Sequence, residues 1–305
     1  MPAQSAKVIT WANMKGGVGK TLGAVSTAAS TALSGNKTLL IDADFQANSS
    51  AYLGVKKDGI TQKRNLVEAL VRGKLKFKDA IHETRFENLY CIPSKTSLYK
   101  FNDKQAMDTE LALWMRGKVL DDFDYVIIDS RPEISKLFTN VMMATDFVVV
   151  PVFPEPDAIS GLGVILEQIR KIQRNSFKTD LRFLGVVICN YDKGNRIQKN
   201  KYIPFLEEFL LERDIPILGT IPRSQAVTGS TDTRTPLPFY LPTNNRMPIK
   251  DEYKNVNSSI IDKAVFGHGR VPLAPSITEE EQDDVFVELE SEILGEVSSE
   301  GIELQ

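Results

Sequence analysis

An α/β fold with a mainly parallel sheet is what this 305-residue sequence predicts, and three observations predict it. Short apolar, β-branched runs alternate with longer stretches of helical periodicity, the order expected of strands joined by crossover helices. Two of the runs, 125–128 and 147–152, are almost uninterrupted hydrophobics, the pattern of strands buried on both faces rather than half in water. Gly16, Gly17 and Gly19 separate the first apolar run from the first helical stretch, so the chain turns sharply there without side chains in the way.

Taken in order, 7–12 reads as the first strand and 21–33 as the helix after it. Gly35 follows that helix where a left-handed C-cap favours glycine. Segments 38–42, 88–92, 124–129, 147–152, 181–189 and 215–220 read as the remaining strands. Helices are expected over 104–119, 135–143, 158–172 and 203–212. Beyond Pro222 the periodicity weakens, and prolines cluster at 236, 238 and 242. The stretch 239–276 therefore reads as an irregular linker or extension. Val285, Leu289 and Ile293 then recur at helical spacing among acidic residues. Segment 277–305 reads either as an acidic amphipathic helix with a frayed end or as a disordered tail.

Composition narrows the classes. Hydrophobic residues make up 42% and charged residues 25%, values of an ordinary globular chain rather than a disordered or fibrous one. No apolar run reaches the length a membrane-spanning helix needs, and the first residues lack the basic-then-apolar order of a secretory signal. Cys91 and Cys189 lie in apolar segments and read as buried thiols of a reducing compartment. His82 and His268 lack ligand spacing. The net charge of −3 conceals an asymmetry: 277–305 carries 11 acidic residues and no Lys or Arg, and the remaining 37 basic and 29 acidic residues leave the body at +8. A basic body points to an anionic partner.

The strongest chemical signal is Lys15-Gly16-Gly17-Val18-Gly19-Lys20-Thr21, directly after a strand and opening a helix. Converging backbone N–H groups and the positive end of a helix bind phosphate oxygens. Lys20 would reach the β- and γ-phosphates of a nucleotide, and the Thr21 hydroxyl would ligate Mg²⁺. Met14 stands where the generic phosphate-loop pattern has its first glycine, and a second lysine, Lys15, stands at the rim. From there it could reach the phosphates of a nucleotide bound to a second subunit, making ATP the glue of a symmetric dimer. Two further carboxylate motifs follow. Asp42 and Asp44, two apart at a strand end, point to one side. Asp129 follows the apolar run 125–128 at the edge where ligands of such sheets bind, in position to hold Mg²⁺ through water.

Together, in this order, the motifs resemble the ParA/MinD group of deviant Walker-A P-loop ATPases. The resemblance is greatest to ParA-type DNA-partition ATPases without an N-terminal DNA-binding domain, and it covers roughly residues 7–237. It implies a P-loop NTPase fold, a twisted, mostly parallel sheet with helices on both faces, an ATPase domain over 1–238, and ATP and Mg²⁺ as cofactors. It further implies that Asp44 positions the attacking water and Asp42 supports the metal shell, with Lys15 and Lys20 as the catalytic lysines. The loop from Gly16 to Leu22 would hold the phosphates. Leu22 replaces a second Thr of relatives and removes a possible α-phosphate contact.

Asn190 matches a position used for the adenine ring, or is a strand-end turn residue; Pro222 and Arg223 match a segment flanking the adenine. Phe45 stands where relatives have proline. Arg131 departs from the pattern after Asp129, either as an arginine finger or as a surface residue at the dimer edge. The resemblance implies a homodimer that binds double-stranded DNA non-specifically, for which Arg196, Lys199, Arg223 and Arg234 are the candidates, or these are solvated surface charges. It also implies a ParB-like adaptor and a cytoplasmic, nucleoid-associated location. A positioning ATPase for a non-DNA cargo, such as a chemoreceptor cluster or microcompartment, fits the same motifs. A MinD-like membrane cycler would need a basic C-terminal amphipathic helix, and here that segment is acidic.

Overall fold

The computed structural model describes residues 6–55, 63–115, 120–175, 178, 180–240, 248–266, 273–278 and 280–281. Its strands are β1 (Lys7–Trp11), β2 (Thr38–Ala43), β3 (His82–Glu83), β4 (Leu89–Ile92), β5 (Tyr125–Ser130), β6 (Phe147–Val152), β7 (Arg182–Tyr191) and β8 (Ile217–Pro222). They form one sheet in the order β3-β4-β2-β5-β1-β6-β7-β8. Every pairing is parallel except that of β3 with β4. The helices are α1 (Lys20–Leu33), α2 (Asn48–Tyr52), α3 (Phe77–Ala80), α4 (Glu110–Met115), α5 (Lys136–Ala144), α6 (Ala158–Gln173), α7 (Ile203–Glu212), α8 (Gln225–Asp232) and α9 (Pro248–Phe266).

Alternation along each strand divides the interior in two. Val8, Leu39, Ile41, Val126 and Ile128 point into one core with α5, α6 and α7. Ile9, Trp11, Leu40 and Ile127 point into the other with α1, α2 and α9. This is why those strands read as continuous hydrophobics: each face meets its own layer of helices. The sheet reverses its growth at β1, where the chain moves to β2 on one side and later to β6 on the other. That is the switch point at which α/β sheets open a ligand crevice.

Gly23 sets the spacing of α1 on the sheet. A Cβ there would overlap the ring of Trp11. Trp11 is fully buried, and its Nε1 donates to Thr27 Oγ1 at 3.1 Å, which in turn donates to Asn257 Oδ1 of α9 at 2.7 Å.

Three expectations need correction. Residues 248–266 of the stretch expected to be an irregular linker or extension form α9, a 19-residue helix whose Ile249, Tyr253, Val256, Ile260 and Ala264 are buried in the second core. Of the helix expected over 104–119, residues 104–109 are not helical, 110–115 form α4, and 116–119 lie outside the described residues. Lys104 Nζ instead binds the Leu70 carbonyl and Glu110 at 2.8 Å each. The Asn140 side chain takes the Leu111 N–H at 3.1 Å and gives a hydrogen bond to the Met107 carbonyl, so the segment before α4 is held in turns. α8 was also not expected; Ser224 caps it, accepting from the Ala226 N–H. The expected acidic helix lies outside the described residues from 282 onward. What precedes it returns to the α6–α7 face: Ala274 N donates to Gln173 Oε1, Ile277 is buried, and Arg213 pairs with Glu281 at 3.1 Å. Cys91 and Cys189 are buried free thiols.

Candidate nucleotide site

The loop between β1 and α1 is pinned before it is shaped. Asn13, 2% exposed, donates from Nδ2 to the Pro151 carbonyl at 2.7 Å and accepts the Lys15 N–H at 3.0 Å. Val18 is buried and anchors the middle of the loop. Gly17 and Gly19 take φ of +76° and +100°, the left-handed region where side chains strain the backbone. Gly19 caps α1 without a side-chain hydrogen bond, and the first turn of α1 holds no acidic residue. The helix N–H groups and dipole are therefore left for an anion.

The loop opens onto a cleft of about 540 Å³. Of the residues expected at the site, Gly16, Gly17, Gly19, Lys20, Thr21, Leu22, Asp44, Asn190, Pro222 and Arg223 line it. Val18 is turned inward, and Lys15, Asp42 and Asp129 stand outside the cleft wall. Asn190 adopts φ +59° at the end of β7, as an Asn accepts more readily than most residues. Val227 of α8 and Tyr253 of α9 also line the cleft. The sequence reading missed both because their helices were not expected. Asn13 was missed as well; its signal is a polar residue directly after an apolar strand.

Lys20 is 7% exposed and donates to the Lys15 carbonyl at 2.6 Å. Burial pulls its pKa down to about 8, against the charges of Asp129 and Asp44. Asp42 and Asp129 sit in register on adjacent strands, both fully buried. Burial pushes the Asp129 carboxyl up, and the neighbouring Asp42 charge adds to it. Asp42 is raised by burial as well, opposed by Ser50 and Asp44 hydrogen bonds.

The two carboxylates differ in their partners. Asp42 Oδ1 accepts the Asp44 N–H at 3.2 Å, and Oδ2 accepts the Ser50 N–H and hydroxyl at 2.8 and 2.5 Å. Asp42 thus braces the loop after β2, and the structure leaves it little free capacity for the metal shell expected of it. Both oxygens of Asp129, and the Ser49 hydroxyl, are buried without a hydrogen-bond partner. Unpartnered buried oxygens are costly. A carboxylate with hydroxyls nearby, at the mouth of a phosphate loop, is the donor set of a hard cation such as Mg²⁺.

Lys15 does not enter its own cleft. Its Nζ pairs with Glu155 and, at 2.6 Å, with Asp157. Burial acts to lower the Lys15 pKa, but these two hydrogen-bonded carboxylates outweigh it and hold it above the ordinary range. Asp44 accepts the Gln46 N–H at 2.9 Å and pairs with Arg131 at 3.6 Å. Arg196, Lys199, Arg223 and Arg234 are all exposed. Arg196 and Lys199 precede α7, Arg223 stands at the cleft, and Arg234 follows α8. No helix of the described residues is long and apolar enough to cross a membrane.

Residues 6–183 match the AAA domain family. The chain is 31% identical over 194 residues to the chromosome-partitioning ATPase Soj of Treponema pallidum, covering 63% of this chain and 74% of that protein. The chain belongs to the ParA/MinD family of P-loop ATPases. This ATPase is also 32% identical over 240 residues to the sporulation initiation inhibitor protein Soj of Bacillus subtilis, covering 77% and 92% of the two chains. A Borrelia burgdorferi plasmid partition protein solved with bound AMPPNP superposes with a TM-score of 0.67 at 28% identity, covering 85% of this ATPase and 100% of that chain.

Proposed function

We propose that this chain is a partition ATPase that binds ATP with Mg²⁺, dimerises around it, and as a dimer holds DNA without sequence preference until an adaptor protein of the ParB kind stimulates hydrolysis. The observation that carries this reading is the division of labour between two lysines of one loop. Lys20 is buried and turned inward, while Lys15 lies at the rim, held by side chains of the β6–α6 connection. A rim cation that its own cleft does not use can exchange Glu155 and Asp157 for the phosphates of a nucleotide on a second copy. The relatives named as chromosome-partitioning proteins support the DNA cargo.

In this reading the N–H groups from Gly16 to Leu22 cradle the phosphates and Lys20 neutralises them. Thr21 and Asp129 would hold Mg²⁺, with Asp42 acting through the loop it braces. Bound there, Mg²⁺ would supply charge neutralisation for the phosphates. Asp44 orients the water whose oxygen attacks the γ-phosphorus as the bond to the ADP oxygen breaks, so that ADP and phosphate leave. The protein contributes position and fixed charge. Asn190, Pro222 and Arg223 flank the adenine. Arg196, Lys199, Arg223 and Arg234 meet DNA phosphates in a sequence-independent, salt-sensitive way, which would place the protein on the nucleoid. The ATPase unit extends beyond 238 to include α9, and the acidic end from 277 competes with DNA for the basic face.

Lys15→Gln tests the reading. The variant is expected to bind nucleotide as a monomer and to lose ATP-dependent dimerisation in analytical ultracentrifugation. Dimers formed by Lys15→Gln with ATP would refute the shared-nucleotide arrangement.

A further inference from the structure

The loop after β2 carries the carboxylate assigned to water positioning, and a tight turn shapes it, with the Ala47 N–H donating to the Asp44 carbonyl at 3.0 Å and the Gln46 N–H to Asp44 Oδ1 at 2.9 Å. It has no proline between Ala43 and Ser50 to lock φ. Ala47 sits at φ +56°, a conformation that side chains rarely adopt. Asp42 braces the loop from inside. From outside, Arg131 at the end of the neighbouring strand reaches it as well. The Arg131 guanidinium lies 3.4 Å from the centroid of the Phe45 ring. Its Nε and Nη2 reach Glu133 Oε2 at 3.0 Å, and its Nη1 lies 3.6 Å from Asp44 Oδ1. Phe45 in turn meets Tyr99 edge-on, with ring centroids 6.5 Å apart. Arg131 is thus fixed on three sides and bridges the loop ends of two adjacent strands. The planar fork and flat face of an arginine suit this arrangement; a lysine provides the charge alone. Pro132, not Arg131, contributes to the cleft wall.

We propose that Arg131 is a positioning residue for hydrolysis: stacked on Phe45 and held by Glu133, it fixes the loop after β2 so that Asp44 faces the phosphate end of the cleft. This rests on the reading of Asp44 as the water-positioning carboxylate. Phe45 and Arg131 work as one unit, and their effect falls on the chemical step rather than on nucleotide binding.

The test is steady-state phosphate release by the full chain with Mg²⁺ and ATP, for Arg131→Ala, Arg131→Lys, Phe45→Leu, the double variant Arg131→Ala/Phe45→Leu, and Asp44→Asn. Arg131→Ala and Phe45→Leu are each expected to lower kcat about tenfold while KM for ATP stays within about twofold. The double variant should be no slower than the worse single, and Arg131→Lys should recover part of the loss. Arg131→Lys and Phe45→Leu preserve charge or apolar volume, which keeps the test open if Arg131→Ala folds poorly. Loss of kcat in Arg131→Ala with normal turnover in Phe45→Leu would mean that the arginine acts on the phosphates directly and would overturn the proposal. A rise in KM at constant kcat, or losses that multiply in the double variant, would overturn it as well. Asp44→Asn separates the two layers: normal turnover in that variant removes the reading of Asp44 itself, whatever the Arg131 variants do.

Discussion

Lys20→Ala is expected to weaken ATP binding by about a hundredfold, the loss of a buried charge-assisted contact to phosphate. Lys20 lines the cleft beside Gly19 and Thr21, and its Nζ donates to the Lys15 carbonyl at 2.6 Å. Removing it also relieves a desolvated cation, so the empty protein should melt at or above the temperature of the parent. Titration with a fluorescent ATP analogue, alongside thermal melting without nucleotide, measures both. An affinity within about threefold of the parent would mean that the phosphates do not sit on this loop.

Gly23→Val is expected to destabilise the fold by about 3 kcal/mol, the upper part of the usual range for overpacking. The side chain would be driven into the Trp11 ring. Trp11 has no room to yield, since its indole N–H is tied through Thr27 to Asn257 and hence to α9. A glycine-to-valine change within a helix would by itself favour the folded state slightly, so a loss isolates the packing term. Differential scanning fluorimetry should show Tm lower by roughly 5 °C or more. An unchanged Tm would contradict the close approach of α1 to β1.

The parts of the fold legible in the sequence were those with an unambiguous period. Strands such as β5 and β6 are covered on both faces, so the runs 125–128 and 147–152 are apolar throughout and declare themselves. The phosphate loop was legible because glycine is required where φ is positive and lysine where the anion binds. α9 was hidden for a physical reason. Its buried positions Ile249, Tyr253, Val256, Ile260 and Ala264 do keep helical spacing, but Asn257, 3% exposed, shares the buried face, and most of the remaining positions are charged or polar. Asn257 is buried because Thr27 and Ser30 of α1 satisfy it, and that pairing is invisible until the chain is folded. α4 failed the other way: a helix was expected from residue 104, but before Glu110 tertiary hydrogen bonds of Lys104 and Asn140 took precedence. At the site, Phe45 and Arg131 each stood out as unusual. Their stacking joins residues on two strands that are neighbours only in space, as does the pairing of Lys15 with Glu155 and Asp157.

The central claim is that nucleotide, through a dimer, controls a DNA-binding surface. The most direct measurement is fluorescence anisotropy of a random-sequence DNA duplex titrated with the full chain, without nucleotide, with ADP and with ATP in Mg²⁺, at low and at moderate salt. Binding is expected only with ATP, and it should fall by about tenfold or more between 50 and 200 mM salt as phosphate contacts are screened. Equal binding in all three nucleotide states, or binding that salt leaves unchanged, would contradict the account.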